Sequence, residues 1–242
     1  MSNNENTKRI RAVVRTFMSP AIWLFAGYQA LILVLMRMDL VPLNEVLGGL
    51  LAPIVFTALF LGLFFLAGGL YQSFASGASL IQVPTALDNG RKVFSSFIFL
   101  SLKAGVLGFV ALNVLIVVVQ GLTGLETEEL IKTYIRYLAP IVAIIGLIFV
   151  YWLPLVFVRG NFRLFETLAE AFRIGGQRLG QVGFLAVLIL IPPLTLMLLP
   201  KTAPSAFVIL VSVIGELFAW VAFVYCAEYL QSQQPAPSPS QT

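Results

Sequence analysis

Apolar residues run through this chain in six long blocks, about 20–38, 47–71, 93–120, 136–158, 182–199 and 205–229, separated by short polar or charged breaks. At 1.5 Å per helical residue, blocks of this length match a hydrocarbon layer of about 30 Å, so each predicts a membrane-crossing helix. Pro53 and Pro154 lie near block ends, where a missing amide donor costs least. Pro192-Pro193 falls inside the fifth block and predicts a bend there. Ahead of the first block, Ile10, Val13, Val14 and Phe17 recur at helical spacing opposite Lys8, Arg11 and Arg15, which predicts a basic amphipathic surface segment over residues 1–18. The following run, Ala21 to Met36, ends in Arg37-Met38-Asp39 without a small-residue cleavage site, so it reads as a retained span and not a signal peptide.

The second pattern is the stretch Asn161 to Gly180. Phe162, Phe165, Leu168, Ala169, Phe172 and Leu179 form an apolar stripe, and Arg163, Glu166, Glu170, Arg173 and Gln177 follow the same rhythm beside it. A helix of this kind, tied at both ends to membrane spans, is expected at the bilayer surface with its apolar face among the acyl chains. A shorter echo covers Val83 to Phe97, where Thr85, Asp88 and Arg91 stand as Thr167, Glu170 and Arg173 stand 82 residues later. The chain thereby divides into three units, each a basic surface segment followed by a helical hairpin. Either the units are an internal repeat, or Thr-x-x-acid-x-x-Arg is an ordinary capping pattern used twice. The predicted fold is all-α: a polytopic membrane helical bundle of six transmembrane helices arranged as three hairpins. The domains are the amphipathic segment 1–18, the membrane domain 19–230 and a proline- and serine-rich tail, 231–242, expected to be disordered.

Composition agrees with the pattern and narrows the partners. A mean hydropathy of +0.95, with 59% hydrophobic and 11% charged residues, belongs to the bilayer. The net charge of +4 is modest and its basic residues cluster beside apolar blocks, as topology signals do, instead of forming a nucleic-acid-binding stripe, which argues against nucleic acid. Lys8, Arg9, Arg11, Arg15, Arg91, Lys92, Arg159, Arg163, Arg173 and Arg178 fall on one side of a six-span chain, against Arg37, Lys132, Arg136 and Lys201 on the other. The positive-inside rule then puts both termini in the cytoplasm and the loop Gly121 to Arg136 outside. Lys8, Arg11, Arg15, Arg91, Lys92, Arg163, Arg173 and Arg178 are the expected contacts to anionic lipid, each worth on the order of 1 kcal/mol near a charged leaflet.

The sequence offers little conventional chemistry. It contains no histidine, a single cysteine (Cys226), and no phosphate-cradling, nucleophile-elbow or zinc-binding motif, so no cofactor, metal site or catalytic residue is predicted. Glu126, Glu128 and Glu129 are followed by Lys132 and Arg136, as in ordinary helix-surface pairing. Two charges stand out because they fall within apolar blocks: Lys103 in the third and Glu216 in the sixth. Charges there cost about 2.5–3.5 kcal/mol on insertion scales and are usually paired or functional. Ser96, Lys103, Asn113 and Gln120 share one broad side of the third helix, which is therefore expected to face the interior, with Lys103 within reach of Glu216. Ala104 with Gly108 and Gly215 with Ala219 have the spacing of close helix contacts.

The run Leu153-Pro154-Leu155-Val156-Phe157, leading into Thr167-Leu168-Ala169-Glu170-Ala171-Phe172-Arg173, resembles a loose group of bacterial six-helix membrane proteins of uncharacterised function. The group includes the membrane domain attached to some glycerophosphodiester phosphodiesterases. The resemblance implies a bacterial inner-membrane protein and supplies no catalytic residues, and this chain lacks a soluble catalytic domain. The expected function is a non-enzymatic membrane accessory or scaffold protein that engages lipid headgroups, or a membrane protein partner, through its cytoplasmic surface helices. The alternative is a small transporter or channel with Glu216, Lys103 and Asn113 along a polar path. A lipid-modifying enzyme ranks third.

Overall fold

The computed structural model describes residues 3–37, 45–124, 150–178, 181, 184–185, 187–191, 195 and 204–233, and among them every regular element is a helix. Helix α1 spans Asn3–Met18, α2 Pro20–Arg37, α3 Glu45–Ala75, α4 Val83–Thr123, α5 Trp152–Arg159, α6 Leu164–Gln177 and α7 Ser205–Ser232. Among the described residues three stretches are long and apolar enough to cross a membrane: Pro53–Ala75, Val83–Thr123 and Ser205–Ser232. The count rises to four if the bent pair α1 and α2 makes one span. The loop Gly121 to Arg136 with its acidic cluster, the fourth block up to residue 149 and most of the fifth fall outside the described residues, apart from 121–124.

The angle of 64° between α1 and α2 has a local cause. Pro20 has no amide hydrogen and keeps Ser19 out of the helical region, so the helix stops and restarts one residue later. The elbow is then clasped by the α3–α4 turn. Ile81 donates its N–H to Ser19 Oγ at 3.2 Å and accepts the Ala21 N–H on its carbonyl at 3.2 Å, with its own side chain fully buried. Ser19 Oγ in turn donates to the Arg15 carbonyl at 2.6 Å, so one hydroxyl joins the end of α1 to the turn.

Helices α3 and α4 form the most intimate pair, and two glycines set their spacing. A Cβ at Gly69 would lie 2.0 Å from the Ala86 carbonyl oxygen, and one at Gly90 would lie 2.9 Å from that of Phe65. The backbones meet where no side chain fits. Among the described residues Gly108, from one of the expected pairs, does not do this: a Cβ there would meet nothing within 4 Å.

Helix α4 joins the surface segment of the second unit directly to the span that follows it. The segment around Thr85 is the beginning of a single helix of 41 residues, about 61 Å long, that continues through the third apolar block. Nothing in Gly90-Arg91-Lys92 stops a helix, and Gly90 is retained there for close packing. The buried registers differ as well. Ala86, Gly90, Val93, Phe97 and Leu100 are buried in α4, whereas α6 buries Leu164, Thr167, Ala171 and Gly175. Thr85 is exposed where its counterpart Thr167 is buried, so the two echoing segments pack differently.

Buried side chains gather toward one end of the bundle. They occupy Ala67–Ala75 of α3, Ala86–Leu100 of α4, Leu155–Phe157 of α5 and Leu217–Leu230 of α7, together with the α1–α2 elbow. Tyr71 stands at the centre of an aromatic cluster, with ring centroids 4.6 Å from Trp220, 4.6 Å from Phe223 and 5.2 Å from Phe157. Beyond this core, α3, α4 and α7 carry exposed Ile54, Val55, Phe109, Val117, Leu122 and Leu210, surface that water would penalise and acyl chains would not. The end of α7 is more ordered than the expected tail boundary. The helix reaches Ser232, and the Gln231 amide donates to the Phe74 and Ala75 carbonyls at 3.2 and 2.6 Å, capping α3. Residues 234–242 of the tail lie outside the described residues.

Candidate functional site

The two amphipathic helices are held to the bundle by their small and polar residues. In α1, Ala12, Arg15 and Thr16 face inward and are buried, as is Ser19 just after it, while Ile10 and Met18 remain 65% and 64% exposed beside exposed Val13 and Val14. In α6, Leu164, Thr167, Ala171 and Gly175 are the inward face. Thr167 Oγ1 accepts the Trp152 indole N–H at 2.9 Å, tying α6 to α5. Phe165 is 72% exposed and Phe172 55%, and Ala169 is also exposed. Phe162 and Leu168 from the expected apolar stripe instead pack on the core, so that stripe divides between protein and surroundings. A helix that buries threonine, alanine and glycine while presenting phenylalanine outward reverses the arrangement found on water-soluble surfaces.

Charges border these outward apolar faces. Arg163 pairs with Glu166 at 3.0 Å, and Asn161 Nδ2 donates to the same carboxylate at 3.3 Å. Those two contacts, the Arg163 one larger, hold the Glu166 carboxyl below its ordinary range. Glu170 accepts from Arg159 at 2.6 Å and lies 3.5 Å from Arg173. Arg91 and Lys92 are exposed on α4, with Asp88 3.7 Å from Arg91. Arg178 and Lys8 both approach the Tyr229 ring, at 3.4 and 5.8 Å from its centroid. Lys8 and exposed Arg11 also border a cavity of 340 Å³ between α1, Gly77 and the end of α7.

Arg15 departs from the expected lipid-facing set. Its side chain is 11% exposed, its Nη1 donates to Glu228 Oε1 at 2.5 Å, and its Nη2 donates to the Ala78 carbonyl. It is a structural clasp between the two ends of the chain, because its place on α1 is one turn before Ser19, on the face that docks. Glu228 was not singled out from the sequence. The available signal was a carboxylate four residues before the end of a helix whose one other charge is Glu216, with a basic helix elsewhere in the chain.

Of the three intramembrane polar candidates, Glu216 is partly buried and lines a pocket between α2, α3, α4, α5 and α7. Gln29 Nε2 donates to Glu216 Oε2 at 3.4 Å across from α2. Lys103 and Asn113 are exposed, as is Ser96, which corrects the expectation that this side of α4 faces inward. Phe97, Ser101 and Ala104 are the residues of α4 that line the Glu216 pocket. At 100° per residue, Lys103 points well away from that stripe. No ion pair joins Lys103 to Glu216 among the described residues. Lys103 instead borders a cleft of 710 Å³ between α4 and the start of α6, with Phe162, Arg163 and Phe165 on the opposite wall. Asn113 turns its amide back to the Phe109 carbonyl at 2.8 Å, satisfying its donor within its own helix. Among the described residues no group of three histidine, cysteine, aspartate or glutamate side chains is placed to hold a metal ion.

Comparison with protein-family models, curated proteins and solved structures finds no match. The functional reading therefore rests on the residues and their geometry.

Proposed function

We propose that this protein is a non-enzymatic membrane accessory or scaffold protein that holds two amphipathic helices, α1 and α6, against the cytoplasmic leaflet and engages anionic lipid headgroups with them. In this reading the chain crosses the bacterial inner membrane six times and both termini are cytoplasmic. The observation that carries it is the reversed burial of both helices: small and polar residues dock on the bundle, and Ile10, Met18 and Phe165 face away from it. Such faces are stable against acyl chains, and the arginines and lysines beside them then lie at headgroup height. Lys8 and Arg11, at the rim of the 340 Å³ cavity, and Arg163 and Arg173, on the outer side of α6, are the headgroup contacts. The protein's part is to fix where these helices sit, through Arg15, Ser19 and Thr167.

Native mass spectrometry of protein extracted in mild detergent tests the lipid engagement. Retained phosphatidylglycerol or cardiolipin in preference to zwitterionic lipid is expected, and the combined Arg11→Gln, Arg163→Gln and Arg173→Gln variant should lose that preference. Equal retention of both lipid classes by the unsubstituted chain would overturn the reading.

A further inference from the structure

The pocket around Glu216 combines features that surface-helix function does not use. It has a volume of 360 Å³, at the lower end of the roughly 300–1,000 Å³ usual for ligand sites. Its wall is rich in aromatic rings, contributed by Phe25 of α2, Tyr71 of α3, Phe97 of α4 and Trp152 of α5, and Glu216 of α7 supplies the carboxylate. Four helices besides α7 thus converge on one acid. No lysine or arginine pairs with Glu216 among the described residues; its partner is the Gln29 amide. Gln29 Oε1 is itself buried without a donor, which adds a second electron-rich oxygen to the same pocket. Trp152 commits its indole N–H to Thr167, so what remains to a ligand is its ring.

We infer that this pocket is a binding site for a small organic ammonium cation. A carboxylate supplies the counter-charge, and ring faces attract a cation while solvating its alkyl groups, a combination that recognises quaternary ammonium in particular. The alternatives fit less well. An anion would face Glu216 and an unpaired carbonyl oxygen. A metal ion would need several convergent oxygens where the wall offers mostly carbon. A neutral apolar guest would leave the acid without a counter-charge. The inference is independent of lipid engagement by α1 and α6, since none of the described residues lining the pocket belongs to either helix.

The test is a titration of tetraethylammonium chloride into the purified full-length chain in detergent, at constant ionic strength, read by calorimetry and by tryptophan fluorescence. Saturable binding is expected, weakened at least tenfold in Glu216→Gln and roughly two- to fivefold in Phe25→Leu, which removes one ring and keeps the apolar volume. Melting curves of each variant accompany the titration, and if Glu216→Gln fails to fold, the Phe25→Leu arm decides. Absence of saturable binding, binding unaffected by the variants, an equal response to sodium chloride, or equally tight competition by the neutral isostere 3,3-diethylpentane would each overturn the assignment.

Discussion

Single residues decide whether this bundle closes, and the buried Arg15–Glu228 pair is the clearest case. Arg15 also serves the Ala78 carbonyl, so its removal strands a carboxylate and a carbonyl together. Breaking one side of such a pair typically costs about 3–5 kcal/mol, much of it the penalty on the partner left behind. Arg15→Met and Glu228→Gln should each lower stability in detergent by about that amount, and the double variant should lose clearly less than the sum, as a thermal or denaturant double-mutant cycle would measure. Glycines give a second contrast at this scale. Gly69→Ala places a methyl group against the Ala86 carbonyl and should cost about 1–3 kcal/mol, whereas Gly108→Ala, in open space, should be neutral or better by the same measurement. Glu166 adds a titration. With Arg163 and Asn161 holding its folded-state pKa down, its contribution is present above the ordinary carboxyl pKa and disappears as pH falls through the depressed one. An NMR titration should find its midpoint below that of a free glutamate, and Arg163→Gln should move it upward.

At the scale of elements, the amphipathic character of α1 and α6 was legible in the sequence because charge and apolar size alternate with helical period. Which residues dock was not. Periodicity marks an apolar face, but in lipid the apolar face has two possible neighbours, and the choice was made by small residues that allow close approach: Thr167, Ala171 and Gly175 in α6. For the same reason Lys103 and Asn113 were misplaced, since polarity within a span suggests an interior position, while a long lysine side chain can reach a polar boundary from an exposed one. The Glu216 acid was found, but its partner Gln29 and its aromatic surroundings come from four other helices that no local pattern connects. The sequence draws no sharp boundary between the Thr85 segment and the third span, because the charges cluster early but no residue between them breaks a helix, and the two form one helix. Spin labels at positions 85 and 120, 35 residues apart, should therefore give one narrow distance near 52 Å by pulsed EPR. A broad or much shorter distribution would indicate that the segment around Thr85 bends away as a surface helix.

For the whole molecule, the packed core joins the start of the chain to its end. The α1–α2 elbow, the α3–α4 turn, α5, α6 and the last turns of α7 meet there, and the opposite stretches of α3, α4 and α7 expose apolar surface. This arrangement suits a protein that anchors through its spans and presents its amphipathic helices at one leaflet. The central claim is that the outward faces of those helices lie in lipid. Nitroxide labels at positions 10, 18 and 165, compared with labels at 11 and 163, would measure this in vesicles of anionic lipid through collision with oxygen and with a water-soluble nickel complex. Oxygen should dominate at 10, 18 and 165 and the nickel complex at 11 and 163. Ready collision of all five with the nickel complex would mean that α1 and α6 stand in water, and the account would be wrong.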